Sequence, residues 1–252
     1  MTSKGTRKRK RDVCTPEEEC FSTVIKTLSK VPRRENSFRI YIDGACKNNN
    51  RPVAERYAGY GIYVDNLIDA EPVDSGAVDA RQVNAHLLQT ANNKTDSSDS
   101  QVLRFVSETC VCTKRTNNRA ELMAAIRCLE LLVAGRFGAT ASSNVTIVND
   151  SKLVFDTVTD YLPRLWRPNN YRKANGDQVS NEDLVRRLDA VLLLMQRTGW
   201  TRVQWQHMNS HRKQPEDRAS NEWCDWHGND QADRLANLAC AAQKNGLNSD
   251  FL

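Results

Sequence analysis

The stretch Phe38-Arg39-Ile40-Tyr41-Ile42-Asp43-Gly44 decides the fold, because its side chains alternate between two faces until a glycine ends the run. Such alternation is typical of a half-buried β-strand. A second run, residues 58–64, is predicted to pair with the first as a hairpin, and residues 102–112 are a third strand candidate. The folded part of the chain therefore opens with three strands.

Helix and strand patterns then alternate. Apolar side chains recur every three or four positions in residues 118–133, which is typical of an amphipathic helix. Residues 145–150 form a short apolar run, as expected of a strand buried on both faces. A helix pattern at 181–195, a strand at 202–208 and a closing helix at 229–243 complete the chain. This order predicts an α/β fold with a five-stranded mixed sheet flanked by helices.

The domain organisation follows from shifts in composition. Residues 1–36 open with a charge block and are expected to form a basic, mostly flexible arm. Residues 37–245 are predicted to form one folded domain, and residues 246–252 a C-terminal tail. An insertion is expected at about residues 65–100, since this polar segment is longer than a normal hairpin connection.

Composition excludes a membrane protein. Of the 252 residues, 39% are hydrophobic and 27% charged, and no apolar stretch approaches the roughly 18 residues of a membrane span. The net charge of +5 comes from residues 4–11, which carry six basic residues and no acid. The run RKRKR at 7–11 indicates a nuclear-localisation signal, or else a nonspecific polyphosphate-binding tail. Eight scattered cysteines favour reduced thiols in an intracellular compartment.

Four carboxylates stand at special points of the predicted fold. Asp43 ends the first strand, Glu121 lies in the first turn of the first helix, Asp150 follows the next strand, and Asp233 lies early in the last helix. Each alone has a local explanation, as a turn former, a capping box, a helix cap or a partner of a helix dipole. Together they suit magnesium, which prefers oxygen ligands and is held by a few carboxylates plus phosphate.

Several motifs resemble the type 1 ribonuclease H family. Segments 40–46 (IYIDGAC) and 58–61 (AGYG) resemble its first two strands, and 116–122 (TNNRAEL) is similar to its TNxRAE helix start. Residues 149–151 (NDS) resemble its TDS, and 228–236 (GNDQADRLA) its GNExADxLA. The positions of Trp166, Tyr171, Gly176 and Asn181 repeat the spacing of its basic protrusion. The resemblance covers residues 38–241 in order and implies a ribonuclease H-like fold.

The resemblance implies an endonuclease that hydrolyses the RNA strand of RNA–DNA hybrids by two-metal-ion catalysis and leaves 5′-phosphate and 3′-hydroxyl ends. Asp43, Glu121, Asp150 and Asp233 correspond to the family's ligands of two Mg²⁺ ions, for which Mn²⁺ can substitute. Asp230 takes the position of a less central glutamate. His211 corresponds to a loop histidine that assists proton transfer or product release.

Substrate contacts are also implied by the resemblance. Asn117 and Asn118, with one of the amides at 48–50 (Asn48 is taken here), match residues that contact sugars and bases in the minor groove, where a 2′-hydroxyl marks RNA. Thr116 and Asn181 match residues that hold a DNA-strand phosphate. Trp166, Arg167 and Tyr171 belong to a basic, aromatic segment, residues 164–173, that is expected to grip the DNA strand.

Departures from the family keep other functions open. Asn149 replaces the usual threonine, and residues 212–227 lengthen the segment after His211, so a second insertion is expected there. His207, His211, Cys224 and His227 could instead supply four zinc ligands. A hybrid-binding module without turnover is the second function class, and a nuclease of the same architecture acting on DNA the third. The expected protein is an intracellular monomer without membrane contact, with the nucleus favoured and the mitochondrion and cytoplasm left open.

Overall fold

The computed structural model describes residues 37–66, 102–110, 114–210 and 213–246. Five strands form one sheet: β1 (Ser37–Lys47), β2 (Tyr57–Asn66), β3 (Phe105–Thr109), β4 (Asn144–Asn149) and β5 (Val203–His207). Their order across the sheet is β3-β2-β1-β4-β5. The pairs β1–β2 and β2–β3 are antiparallel, whereas β1–β4 and β4–β5 are parallel. The predicted mixed five-stranded sheet is confirmed.

Helices cover both faces of this sheet. They are α1 (Asn117–Val133), the short α2 (Lys152–Asp156), α3 (Glu182–Arg197) and α4 (Asn221–Lys244). Helix α1 packs on β1 and β2, α3 packs on α1, and α4 packs on β1, β2 and β3. No helix in the described part of the chain is long and apolar enough to cross a membrane.

The main core lies between the sheet and α1. Fully buried side chains meet there from β1, β2 and β4 on one side and from α1 and α3 on the other. They include Ile40, Ile42, Ile62, Ile147, Leu122, Ile126, Leu129, Leu132 and Leu188. On the opposite face α4 lies close to β2, since a Cβ added at Gly61 would stand 2.2 Å from the main-chain oxygen of Ala232. The glycine therefore allows α4 to approach the sheet.

A π-helical segment, Thr157–Trp166, follows α2 and contains Pro163. Wide turns continue beyond it, because the N–H groups of Arg167 and Tyr171 bond to the carbonyls of Leu162 and Trp166, five residues back, at 3.1 and 2.6 Å. Such widened helices are rare and are frequent at functional sites. Here the wide turns lead into the predicted basic, aromatic segment 164–173.

The closing helix begins earlier than predicted, at Asn221 instead of residue 229. Ser220 caps it by accepting a hydrogen bond from the N–H of Trp223 at 3.1 Å. The prediction was wrong because Gly228 and Asn229 read as a helix start, whereas Gly228 is a buried interior residue of α4. The end of the expected insertion at 212–227 is thus the first two turns of α4. The expected arm, most of the 65–100 insertion and residues 247–252 lie outside the described residues.

Candidate active site

The sheet topology brings Asp43 and Asp150 together. Strands β1 and β4 are parallel, with Ile42 opposite Asn149. The next residues of the two segments, Asp43 and Asp150, therefore follow side by side, with Asp43 still within β1 and Asp150 directly past the end of β4. Helix α1 crosses β1 closely there, because a Cβ at Gly44 would stand 2.2 Å from the main-chain N of Glu121. Gly44 thus allows the helix to place Glu121 beside the two aspartates.

The fourth acid, Asp233, reaches the same place from α4. A cavity of about 260 Å³ is lined by Asp43, Asp150, Met208, Asn209, Trp226, Asn229, Asp230 and Asp233. Glu121 adjoins it, since the charges of Asp150, Asp233 and Glu121 all act on Asp43. The structure therefore brings all four predicted acids together around one cavity.

The carboxylates lie close enough for their negative charges to repel one another. Burial and the charge of Asp150 raise the pKa of Asp43 to about 8, against a hydrogen bond from the N–H of Gly44. Burial also raises the pKa of Glu121 and of Asp150. Among the described residues, none of the four acids forms an ion pair with a lysine, arginine or histidine. Bound cations lower the repulsion between such carboxylates, and with cations in place the cluster no longer repels nucleic acid.

Neutral groups orient the acids. Ser151 donates from Oγ to Glu121 Oε2 at 2.5 Å, and Asn237 donates from Nδ2 to Asp233 Oδ1 at 2.9 Å. The side chain of Asn229 hydrogen-bonds to the carboxylate of Asp150. His207 donates from Nε2 to the main-chain oxygen of Asp150 at 3.2 Å. These contacts fix the acids without neutralising them.

The donor set fits magnesium better than zinc. No three His, Cys, Asp or Glu side chains in the described part converge as a complete metal-ligand set would. Magnesium does not need a complete set of protein ligands, because it keeps water molecules and binds one or two carboxylates plus phosphate. The zinc hypothesis finds no support in the described residues, since His227 stacks on Trp223 with ring centroids 4.7 Å apart and His207 faces Asp150. His211 lies outside the described residues.

Arg119 joins the two predicted phosphate contacts. Thr116 caps α1 and accepts from the N–H of Arg119 at 3.3 Å, while Asn181 accepts from Arg119 Nη1 at 3.4 Å. Arg119 itself is buried and donates twice to Asp183, at 2.8 and 2.5 Å. Asn181 has a left-handed backbone, with φ +56°. Both residues thus bond to Arg119, whose guanidinium pairs with Asp183, and their phosphate contacts stay a prediction.

The predicted minor-groove amides lie on the exposed surface. Asn117 accepts a hydrogen bond from the N–H of Cys46 at 2.8 Å, which ties α1 to β1. Asn118 is exposed beside it. Asn48 has φ +59° and donates to the main-chain oxygen of Glu55 at 3.0 Å. The side chains of Asn117 and Asn48 thus form hydrogen bonds within the protein, and Asn118 is the amide most accessible to a substrate.

The basic, aromatic segment is anchored inwards by a buried acid of α3. Asp189, with a side chain 1% exposed, pairs with Arg167 and accepts from the hydroxyl of Tyr171 at 2.6 Å. Arg186 covers the ring of Tyr171 at 4.0 Å, and Trp166 packs against the main core. We expected these side chains to face the substrate. Instead, Arg167 and Tyr171 hold the segment in place, and their substrate contacts stay a prediction.

Sequence reasoning missed the supporting residues. The sequence places Ser151 in the NDS motif without assigning it a contact, and the structure shows that it binds Glu121. Trp226, half-buried, is the one aromatic side chain among the described residues that line the acidic cavity. Its place depends on the first two turns of α4, which the sequence analysis did not predict. The signal that could have found them is Ser220 with Glu222 in the first turn, which together favour a helix start.

The mixed sheet, with a cluster of acids where β4 ends beside β1, defines the ribonuclease H-like class of α/β proteins. Comparison with protein-family models identifies the family itself: the RNase H model matches residues 35–241. The chain therefore belongs to the RNase H family, and the expected family membership is confirmed.

Curated relatives agree with this assignment. The chain is 37% identical over 107 residues to the ribonuclease H of Paracoccus denitrificans, covering 42% of this chain and 60% of the relative. It is 33% identical over 132 residues to that of Xanthomonas euvesicatoria, covering 52% and 71%. The chain thus spans about two thirds of the length of these relatives.

Solved structures share the fold. The PFV RNase H domain superposes with a TM-score of 0.53 at 17% identity, covering 83% of this chain and 97% of that domain. A foamy viral protease-reverse transcriptase in complex with an RNA/DNA hybrid gives a TM-score of 0.50 at 16% identity, covering 94% of this chain and 22% of that chain. At these identities the similarity concerns the fold alone.

Proposed function

We propose that this protein is an endonuclease that hydrolyses the RNA strand of RNA–DNA hybrids. The observation that carries the proposal is the cavity where Asp43, Asp150 and Asp233 meet, with Glu121 beside it and no cationic side chain among the described residues that line it. Such a site repels nucleic acid unless divalent cations fill it. The names of the curated relatives and the hybrid in the foamy viral structure support the choice of substrate.

The four acids would hold two Mg²⁺ ions, with Mn²⁺ as a substitute. Such a pair activates a water molecule and stabilises the leaving oxygen during in-line attack on a phosphodiester. A new bond forms between the water oxygen and phosphorus, the bond from phosphorus to the 3′ oxygen breaks, and that oxygen takes a proton. The products carry a 5′-phosphate and a 3′-hydroxyl. His211 is the proposed proton carrier, because imidazole takes both protonation states near neutrality.

The surrounding residues would select the hybrid. Asn117 and Asn118, with Asn48, are placed to test for 2′-hydroxyl groups in the minor groove, since an amide both donates and accepts. Thr116 and Asn181 would bind a phosphate of the DNA strand together with Arg119. The basic segment 164–173 would then contact the DNA strand through its outward-facing side chains, among which Arg164 is 76% exposed.

The experiment that tests the proposal compares substrates. A labelled RNA–DNA hybrid is incubated beside single-stranded RNA, duplex RNA and duplex DNA, with magnesium and with chelator. We expect cutting only of the RNA in the hybrid and only with magnesium. Binding of the hybrid without cutting, in both magnesium and manganese, would favour the hybrid-binding module, and cutting of duplex DNA would favour the third function class.

We also propose that the protein acts as a monomer inside the cell, with the nucleus as its main compartment. The support is the run RKRKR at residues 7–11 and the scattered cysteines. Replacing these five residues by glutamine in a fluorescently tagged chain should shift it out of the nucleus. An unchanged distribution would leave the basic run as a polyphosphate-binding tail.

A further inference from the structure

A second cavity of about 330 Å³ lies away from the acids, at the ends of β1 and α4. It is lined by Lys47, Asn48, Tyr57, Asn237, Cys240, Ala241 and Lys244. Among the described residues that line it are two ammonium groups and no carboxylate. Its chemistry is thus opposite to that of the acidic cavity on the same helix.

The two lysines carry uncompensated charge. Both side chains belong to exposed residues, and neither forms an ion pair within the described part of the chain. Burial raises the pKa of Cys240, so its thiol stays neutral and does not repel an anion. Tyr57 and Asn48 add hydrogen-bond donors around the charges, whereas the amide of Asn237 donates to Asp233. Two ammonium groups with neutral donors in a concave site suit a phosphate oxygen.

The second cavity is aligned with the acidic cavity along α4. Asn237 lines the second cavity and donates to both the main-chain oxygen and Oδ1 of Asp233, each at 2.9 Å. From Asp233, Ala241 and Lys244 follow on the same side of the helix, and Lys244 lies about 16 Å further along the axis at 1.5 Å per residue. A polynucleotide strand whose scissile phosphate lies at the acids would have a phosphate a few nucleotides away at this distance.

We infer that Lys47 and Lys244 form a binding site for a backbone phosphodiester of the hybrid, a few nucleotides from the point of cleavage. The inference rests on the proposed function, because it takes the acidic cavity as the place of the scissile phosphate. The site would contribute affinity and register but no chemistry, so its removal weakens binding and leaves kcat unchanged.

The test measures the salt dependence of hybrid binding. Lys47→Gln/Lys244→Gln is made in an Asp150→Asn background, so that the hybrid stays intact in magnesium, and the dissociation constant is measured over a range of salt. Removing one lysine that binds a phosphate lowers the slope of log Kd against log salt by about one. We expect a decrease of about two for the double variant, and an unchanged kcat when Asp150 is restored.

The matched control removes two charges elsewhere. Arg136 and Arg202 are exposed at the opposite end of the strands, so Arg136→Gln/Arg202→Gln makes the same change in net charge. The inference is overturned if both double variants lower the slope equally, or if the lysine variant leaves it unchanged. Lys47→Arg/Lys244→Arg should keep the slope, which separates the effect of charge from that of structure. A wild-type protein that fails to cut any hybrid would refute the proposed function itself.

Discussion

Ser151 joins the end of β4 to α1 by donating its hydroxyl to Glu121 across 2.5 Å, while the same oxygen accepts the N–H of Val154 at 3.3 Å. One side chain thus caps α2 and orients an acid of the cavity. This double role makes Ser151 the supporting residue through which the geometry of the site can be tested without removing an acid.

We predict that Ser151→Ala lowers activity about 10- to 100-fold, the usual effect of removing a group that orients a metal ligand. The decrease should appear as a higher magnesium concentration at half-maximal rate. The cap itself is worth about 1 kcal/mol of stability. Ser151→Thr keeps the hydroxyl and should retain most of the activity and most of the stability. An unchanged magnesium dependence in Ser151→Ala would show that Glu121 needs no such support.

Without divalent cations, the stability of the protein should fall as the pH rises towards 8. Burial and the charge of Asp150 raise the pKa of folded Asp43 to about 8, so the folded state binds this proton more tightly than the unfolded state does. Its contribution is complete below the unfolded pKa of about 4 and is lost as the pH rises through the folded value.

The measurement is the melting temperature of wild type and Asp43→Asn in chelator between pH 5 and 9. We expect the variant to melt at the higher temperature above pH 8, with the difference shrinking at lower pH. Glu216→Gln, at an exposed position, serves as the control and should follow wild type. If the melting temperatures of wild type and Asp43→Asn changed in parallel with pH, the raised pKa of Asp43 would be contradicted.

Asp189→Asn should destabilise the protein and weaken its grip on the hybrid. Burial opposes ionisation of Asp189, but hydrogen bonds from Arg167 and Tyr171 outweigh it and lower its pKa. This stabilisation is present above the unfolded pKa and is lost as the pH falls through the lower folded value. Removing the charge should cost about 1–3 kcal/mol at neutral pH.

Urea unfolding gives the stability change, and hybrid binding gives the effect on the segment 164–173. Glu182→Gln changes a charge on the same helix and should alter stability by a few tenths of a kcal/mol only. If Asp189→Asn destabilised the protein but bound the hybrid as wild type does, the basic segment would not contact the substrate.

Trp226→Ala should weaken hybrid binding by about 1–3 kcal/mol, the usual value of one aromatic contact with a nucleotide. An aromatic ring in the acidic cavity does not ligate a cation, so we expect it to pack against a sugar or base beside the scissile phosphate. Trp226→Phe should retain most of the affinity. A lower melting temperature with unchanged affinity would assign Trp226 to packing alone.

Local patterns were enough to predict the sheet. Alternation along β1 and the three- and four-residue spacing in α1 are short-range signals. Helix α1 lies within a residue of the prediction, whereas β1 continues past Gly44 to Lys47, because its pairing with β2 runs on to Tyr57. The first turns of α4 were missed because Gly228 and Asn229 were taken as the helix start, and a distant contact helps to hold these turns. Asp225 accepts from Arg39 at 2.5 Å across 186 positions of the chain, and from Tyr41 at 3.1 Å.

The candidate site was predictable only where short local motifs contain its residues. Asp43, Glu121, Asp150 and Asp233 lie in short motifs that carry their own structural context, and the structure brings them together. The direction of Arg167 was not predictable, because a basic and aromatic pattern does not show that a buried acid, Asp189, lies on another helix to pair with it. Trp226 likewise follows from the placement of α4 rather than from any motif.

The most direct test of the account separates binding from catalysis in Asp150→Asn. Cleavage of a labelled hybrid in magnesium is followed under single-turnover conditions, with binding measured on the same samples. We predict that wild type cuts the RNA strand and leaves 5′-phosphate ends, while Asp150→Asn binds the hybrid and leaves it uncut. Cleavage by Asp150→Asn at the wild-type rate would contradict the assignment of the acidic cavity as the catalytic centre.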